Sequence, residues 1–140
     1  MSPNEKHFKR DAWLSQRHRT WGYNCPAMDL DFVLVEYDNA QPVALIDYRH
    51  ENGSIDLNSI GSRVLGNLAD MAGIPAYIVQ YGFKAYHDDM LWAEGVGDPW
   101  FRIHAINIDA HANLPDDGYT GTEFEYVAWL HRLRGRSYRT

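Results

Sequence analysis

A single cysteine, Cys25, stands among 140 residues, so no internal disulfide can form. That suits a reducing compartment, and the thiol reads as a small buried hydrophobe rather than a nucleophile. No apolar run approaches the ~20 residues of a membrane span. The opening stretch, MSPNEKHFKR, lacks the apolar core of a signal peptide. A cytoplasmic protein without membrane contact is therefore expected. The sequence contains no Walker loop, no GxGxxG, no GxSxG and no CxxC, which leaves nucleotide-binding, redox and hydrolase-elbow chemistry without a foothold. It also lacks internal repeats and low-complexity tracts, so residues 1–140 read as a single domain. A chain of this length buries roughly two-thirds of its unfolded surface and needs no covalent staple.

Basic residues are scarce except at the two ends. The net charge is −6, yet residues 1–20 hold five Lys/Arg against two acids, and residues 131–140 hold four Arg and no acid. The body between has four basic residues and seventeen acids. Two basic ends around an acidic body suit a protein that grips phosphates at its ends and holds a cation in between. Solubilising tails explain the same pattern equally well.

The most informative stretch runs from Pro26 to Glu51. Two runs rich in β-branched and aromatic residues, Phe32 to Tyr37 and Val43 to Tyr48, flank Asp38-Asn39-Ala40. Asp and Asn tolerate the backbone of tight turns, so residues 31–37 and 42–49 are expected to pair as an antiparallel hairpin. Acids stand where strand residues should be apolar: Asp29 and Asp31 on the first arm, Asp47 on the second. A carboxylate in a central strand costs several kcal/mol unless it is paired or binds a metal. With a three-residue loop, 38–40, Tyr37 faces Gln41. Asp31 then lies opposite Asp47, and Asp29 opposite Arg49; a slip of one residue would send the acids to opposite faces. The structural alternative pairs Asp29 with Arg49 and binds no metal.

Helices and further strands surround the hairpin. A helix is expected over Asn4 to Arg19, with Phe8, Ala12 and Trp13 on one side, then a weak strand or turn at Thr20 to Asn24. After the hairpin, Asp56 is placed to cap a helix with the stripe Leu57, Ile60, Val64 and Leu68. Leu65, Ala69 and Ala72 widen the stripe, Gly61 and Gly66 permit close approach to a sheet, and Gly73 and Pro75 end the helix. Ala76 to Tyr81 reads as a buried strand. Gly82 to Pro99 reads as an irregular excursion with a short strand near Leu91-Trp92-Ala93. Trp100 to Ile108 forms another strand and Asp109 to Tyr119 a loop. A last helix opens on the capping box Thr122/Glu125, carries Phe124, Val127, Leu130 and Leu133 as its apolar side, and ends at Gly135. Helix, three strands, helix and strand, with one further strand and a terminal helix, give an α/β (α+β) domain of three layers.

The residues Pro26-Ala27-Met28-Asp29-Leu30-Asp31 and Asp47-Tyr48-Arg49 resemble the motif of the PD-(D/E)XK nuclease superfamily: Pro-Asp on one strand, then an acid, any residue and Lys on the next. The run is also similar to small phage and prophage proteins, a likeness that adds no function. The superfamily resemblance implies a restriction-endonuclease-like core, αβββαβ, with a central mixed sheet flanked by helices. It implies that Asp31 and Asp47 are catalytic acids holding Mg²⁺ or Mn²⁺, with Asp29 as a rival ligand, and that Arg49 stands at the Lys position. Lys in the superfamily positions and activates the attacking water. Arg cannot shed its proton but can stabilise phosphoryl charge. Glu36, His50, Glu51 and Gln80 are supporting candidates, although each reads more simply as structural: Glu36 as an outward strand residue, His50 and Glu51 as ordinary polar residues at a strand end.

Phosphodiester hydrolysis is the expected reaction, and nucleic acid, DNA ahead of RNA, the expected partner through the basic termini. The alternative function is an inactive module on the same fold that binds nucleic acid or a protein, with Trp21, Trp92 and Trp100 available for an interface. A separate constellation, His104, Asp109 and His111, has zinc-binding residue types but no tight signature. It reads more simply as one strand residue and a polar loop.

Overall fold

The computed structural model describes residues 12–14, 16, 17, 20, 28–84, 98–115 and 121–136. Residues 12–14, 16, 17 and 20 have helical backbone and are exposed. The rest of the expected N-terminal helix, nearly all of the weak strand at 20–24, and the short strand near 91–93 lie outside the described residues.

Four strands form one mixed sheet in the order β1-β2-β3-β4. β1 (Phe32–Glu36) and β2 (Gln41–His50) are the antiparallel hairpin. Helix α1 (Ile60–Ala72) then carries the chain across to β3 (Ala76–Lys84), which runs parallel to β2. β4 (Asp98–Ala105) returns antiparallel to β3. The segment expected to be irregular therefore contributes both ends of a strand pair, with Gly82 facing Trp100 and Lys84 facing Asp98. β2 and β3 have neighbours on both sides. That is why Val43–Ile46 and Ala76–Val79 are continuous buried apolar runs rather than alternating ones.

The two faces of the sheet carry separate cores. Leu45 and Ala76 pack under Leu65 and Ala69 of α1, with Ile74 and Ile106 beside them. Ala44, Ile46, Tyr77, Val79, Ile103 and Ala105 face the other way. They pack against Ala110 of the short helix α2 (Ile108–His111) and against Tyr126, Trp129 and Leu133 of α3 (Glu123–Arg136). A four-stranded mixed sheet between helices is the α/β architecture expected from the pattern.

Several local expectations shift. Ser59, not Asp56, caps α1, its side chain accepting from the Ser62 N–H at 3.2 Å. Asp56 acts one turn earlier, accepting from the Asn58 N–H at 2.9 Å. The stripe that packs on the sheet is Ser62, Leu65, Gly66 and Ala69, whereas Ile60, Val64 and Leu68 are exposed. Gly66 sets this rotation: a Cβ there would stand 2.8 Å from Ile106 Cγ2, so only the glycine-bearing side can approach so closely. α3 is rotated in the same sense. Tyr126 and Trp129 are buried while Phe124 and Val127 are exposed, and the helix runs through Gly135 to Arg136. The Thr122/Glu125 box forms as expected, with Thr122 Oγ1 accepting from the Glu125 N–H at 3.1 Å and donating to its Oε1 at 2.9 Å.

The loop expected after β4 contains α2 instead, because Asn107 caps it. Its buried amide accepts from the N–H of Ala76 (3.1 Å) and of Ala110 (2.9 Å). It donates to Ile74 O (2.9 Å) and Asp70 Oδ1 (3.0 Å). One side chain thus ties the end of α1, the start of β3 and the start of α2.

Candidate active site

The hairpin register brings the motif acids together. Phe32 faces Ile46, Val33 faces Leu45 and Leu34 faces Ala44. The same register continued places Asp31 beside Asp47, close enough for Asp31 to raise the pKa of Asp47. The turn is built differently from the expected three-residue loop. Glu36 pairs with Gln41 across a four-residue turn, 37–40, closed by Ala40 N–H to Tyr37 O at 3.3 Å, with Ala40 at φ 53°. A bulge that leaves Val43 without an opposite residue then restores the register, and Pro42 sits at this irregularity, where a missing N–H is tolerated.

Glu36 is not the outward residue expected. It is 2% exposed, and its carboxylate accepts from the N–H groups of Asp38 (3.0 Å) and Asn39 (2.8 Å). It builds the turn, at the far end of the hairpin from the acids. His50 also leaves the candidate site. It faces the α3 side, where its ring meets Tyr81 edge-on at 5.4 Å.

Asp47 and Arg49 share the face of Leu45, the α1 side, with the Asp47 side chain 21% exposed and that of Arg49 51%. Arg49 pairs with Asp47 and not with Asp29: Nε and a terminal nitrogen approach Asp47 Oδ2 at 3.0 and 2.8 Å. Both contacts fall on one oxygen, so Oδ1 lies outside that pair. Asp47 is pushed up from 3.8 to about 6, first because burial disfavours its charge, then because Asp31 adds a shared hydrogen bond and a like charge; Arg49 acts in the opposite direction. Asp29 is exposed in the segment leading into β1.

Strand register extends this face across the whole sheet. Asp47 is level with Ile78, and Ile78 with His104. Arg49 is level with Gln80, and Gln80 with Arg102. One step further, a Cβ on Gly82 would collide with the Glu51 carboxylate and lie 2.8 Å from the Trp100 ring. Glu51 and Trp100 thus meet over a glycine on the same face, and Gln80 Nε2 reaches the Glu51 carbonyl at 3.4 Å. The sequence offered Glu51 and Gln80 as supporting candidates but gave no sign of Arg102 or of the positions of Trp100 and His104. Finding them requires the β3–β4 register, which no local pattern in the sequence announces.

The acid pair suits a hard cation. Two opposed carboxylates, one driven toward its neutral form, constitute a site short of positive charge, and oxygen ligands are those Mg²⁺ and Mn²⁺ prefer. Among the described residues no three His, Cys, Asp or Glu side chains gather into a ready-made metal cluster. Neither Asp29 with the acid pair nor Asp109 and His111 with His104 makes one. No helix among the described residues is long and apolar enough to cross a membrane. No protein-family model, curated protein or solved structure matches the chain.

Proposed function

We propose that the protein is a metal-dependent nucleic-acid phosphodiesterase on a restriction-endonuclease-like core. The observation that carries this reading is the facing pair Asp31 and Asp47, which the hairpin register sets side by side on the α1 face, with Asp31 raising the pKa of Asp47. The order of elements supports it. An acid-bearing hairpin, a helix and a strand parallel to β2 follow one another as the resemblance to the PD-(D/E)XK superfamily implies. Asp31 and Asp47 would hold the Mg²⁺ or Mn²⁺ ion, with Asp29 as a neighbouring acid. A divalent ion held there would polarise a phosphoryl oxygen and lower the pKa of bound water. Arg49, anchored on Asp47 Oδ2, would lean its remaining donors toward phosphate oxygens and stabilise their developing charge. Its guanidinium keeps its proton, so it orients and neutralises rather than accepting a proton.

The second reading is a binding module without catalysis, with nucleic acid or a protein as partner. It is favoured by one observation: the Arg49–Asp47 ion pair already supplies a cation to one of the two acids. Incubating the protein with plasmid or oligonucleotide in Mn²⁺ separates the two. Cleavage by the wild type that Asp47→Asn abolishes is the expected result. No cleavage by a folded wild type would leave the binding module.

A further inference from the structure

We propose that His104 is the proton acceptor for the attacking water at this site, the role that Arg49 cannot fill. The inference rests on the phosphodiesterase reading above. His104 stands in the same cross-sheet row as Asp31 and Asp47, on the same face, two strands from Asp47. Strands lie about 4.8 Å apart, so the backbone of His104 is about 10 Å from that of Asp47. Ile78, between them, is buried in the core at 2% exposure and carries no polar group.

Among the described residues, His104 Nε2 is buried and has no hydrogen-bond partner. A buried nitrogen without a protein partner is completed by a water or an ion, or serves a catalytic role. Burial first, and then the charge of Arg102, hold the ring below the ordinary histidine range, so it is neutral near pH 7 and free to accept a proton. The groups sharing its face are Arg102 on β4, Gln80 on β3, Asp47 and Arg49 on β2, Glu51 just after it over Gly82, and Asp31 before β1. α1 packs on this face through Ser62, Leu65, Gly66 and Ala69, none of them charged.

The step balances simply. Water loses one proton to the imidazole as its oxygen bonds phosphorus. The bond from phosphorus to the departing sugar oxygen breaks, its electron pair stays on that oxygen, and solvent supplies the proton there. The imidazolium then returns its proton to water.

The test uses the full chain with a single-stranded and a duplex oligonucleotide in Mn²⁺, comparing wild type with His104→Asn, which keeps size and polarity. The expected result is a loss of about 10²- to 10⁴-fold in single-turnover cleavage, disappearance of the rising acid limb of the pH profile, and partial recovery of His104→Ala by added imidazole. Two readouts are independent of turnover. In the metal-free protein, ring-nitrogen NMR should find His104 neutral at pH 7, and Mn²⁺ binding to His104→Asn should match wild type. An active wild type with an unchanged rate and pH profile in His104→Asn overturns the role of His104 and leaves the phosphodiesterase reading standing, as does a ring found protonated at pH 7. A folded wild type that never cleaves overturns both.

Discussion

Asp47 sits between opposed neighbours, Asp31 across the hairpin and Arg49 two residues along. Its acidity is weakened from 3.8 to about 6 in the folded chain. Between those values the folded state binds more protons than the unfolded one. Its contribution to stability is therefore present at low pH and lost as pH rises through about 4 to 6. Thermal melts should show Tm falling over that range. Asp47→Asn should flatten the slope and gain about 1 kcal/mol at pH 7, after allowance for solvent screening at a part-exposed site. A slope that survives Asp47→Asn would place the titration elsewhere. Arg49 gives a second prediction. Because it is bonded to Asp47, Arg49→Lys both loosens that contact and introduces a group that can release its proton. If the site lacks only a water-activating group, cleavage should rise in Arg49→Lys by up to about 10²-fold. If His104 already accepts the proton, cleavage should fall, because Lys cannot reproduce two contacts on one carboxylate. With His104 as the acceptor, the fall is the expected outcome, read from single-turnover cleavage rates.

Elements show where local pattern was sufficient and where it was not. The hairpin was legible because β-branched and aromatic runs flank turn residues, and its register at the acids matches the simple count even though the turn is one residue longer. The bulge at Val43 cancels the difference. The helices were legible as helices, with the Gly73 stop and the Thr122/Glu125 box in place, but α1 starts at Ser59 and α3 runs through Gly135, and their buried sides were legible only in part, at Leu65, Ala69 and Leu133. Aliphatic spacing singled out Ile60, Val64 and Leu68. The sheet instead takes the side where Gly66 lets Ile106 come close. On α3, Tyr126 and Trp129 outrank Phe124 and Val127 because their polar tips find partners, Tyr48 Oη at 2.6 Å and Asn113 O at 2.9 Å. Asn107 was invisible as a hub because most of its partners, at the end of α1 and the start of β3, are more than thirty residues away in sequence. Asn107→Ala should cost about 2–3 kcal/mol, the penalty of leaving several buried groups unpaired, measured by chemical denaturation. A cost near zero would mean that water replaces the amide.

At the scale of the whole molecule, the α/β class followed from the order of elements, while the polar face depends on strands that meet only in the folded sheet. Asp31 and Asp47 could be paired by counting along one hairpin; His104 and Arg102 join them only through β3. The basic ends are tested separately from the site. Arg132, Arg136 and Arg139 can be changed to Gln together without touching Leu133, which is buried in the core. If these arginines contact phosphates, the variant should bind oligonucleotide more weakly. The slope of log affinity against log salt should then fall by about 0.9 for each duplex phosphate that is no longer neutralised. An unchanged slope would assign the arginines to solubility alone. The acid pair itself is tested most directly by calorimetric titration of Mn²⁺ into wild type, Asp31→Asn and Asp47→Asn at pH 7.5, with circular dichroism to show that each is folded. A saturable binding heat in wild type that both substitutions remove is the predicted result; no saturable heat in wild type, or the same heat in all three proteins, would contradict it.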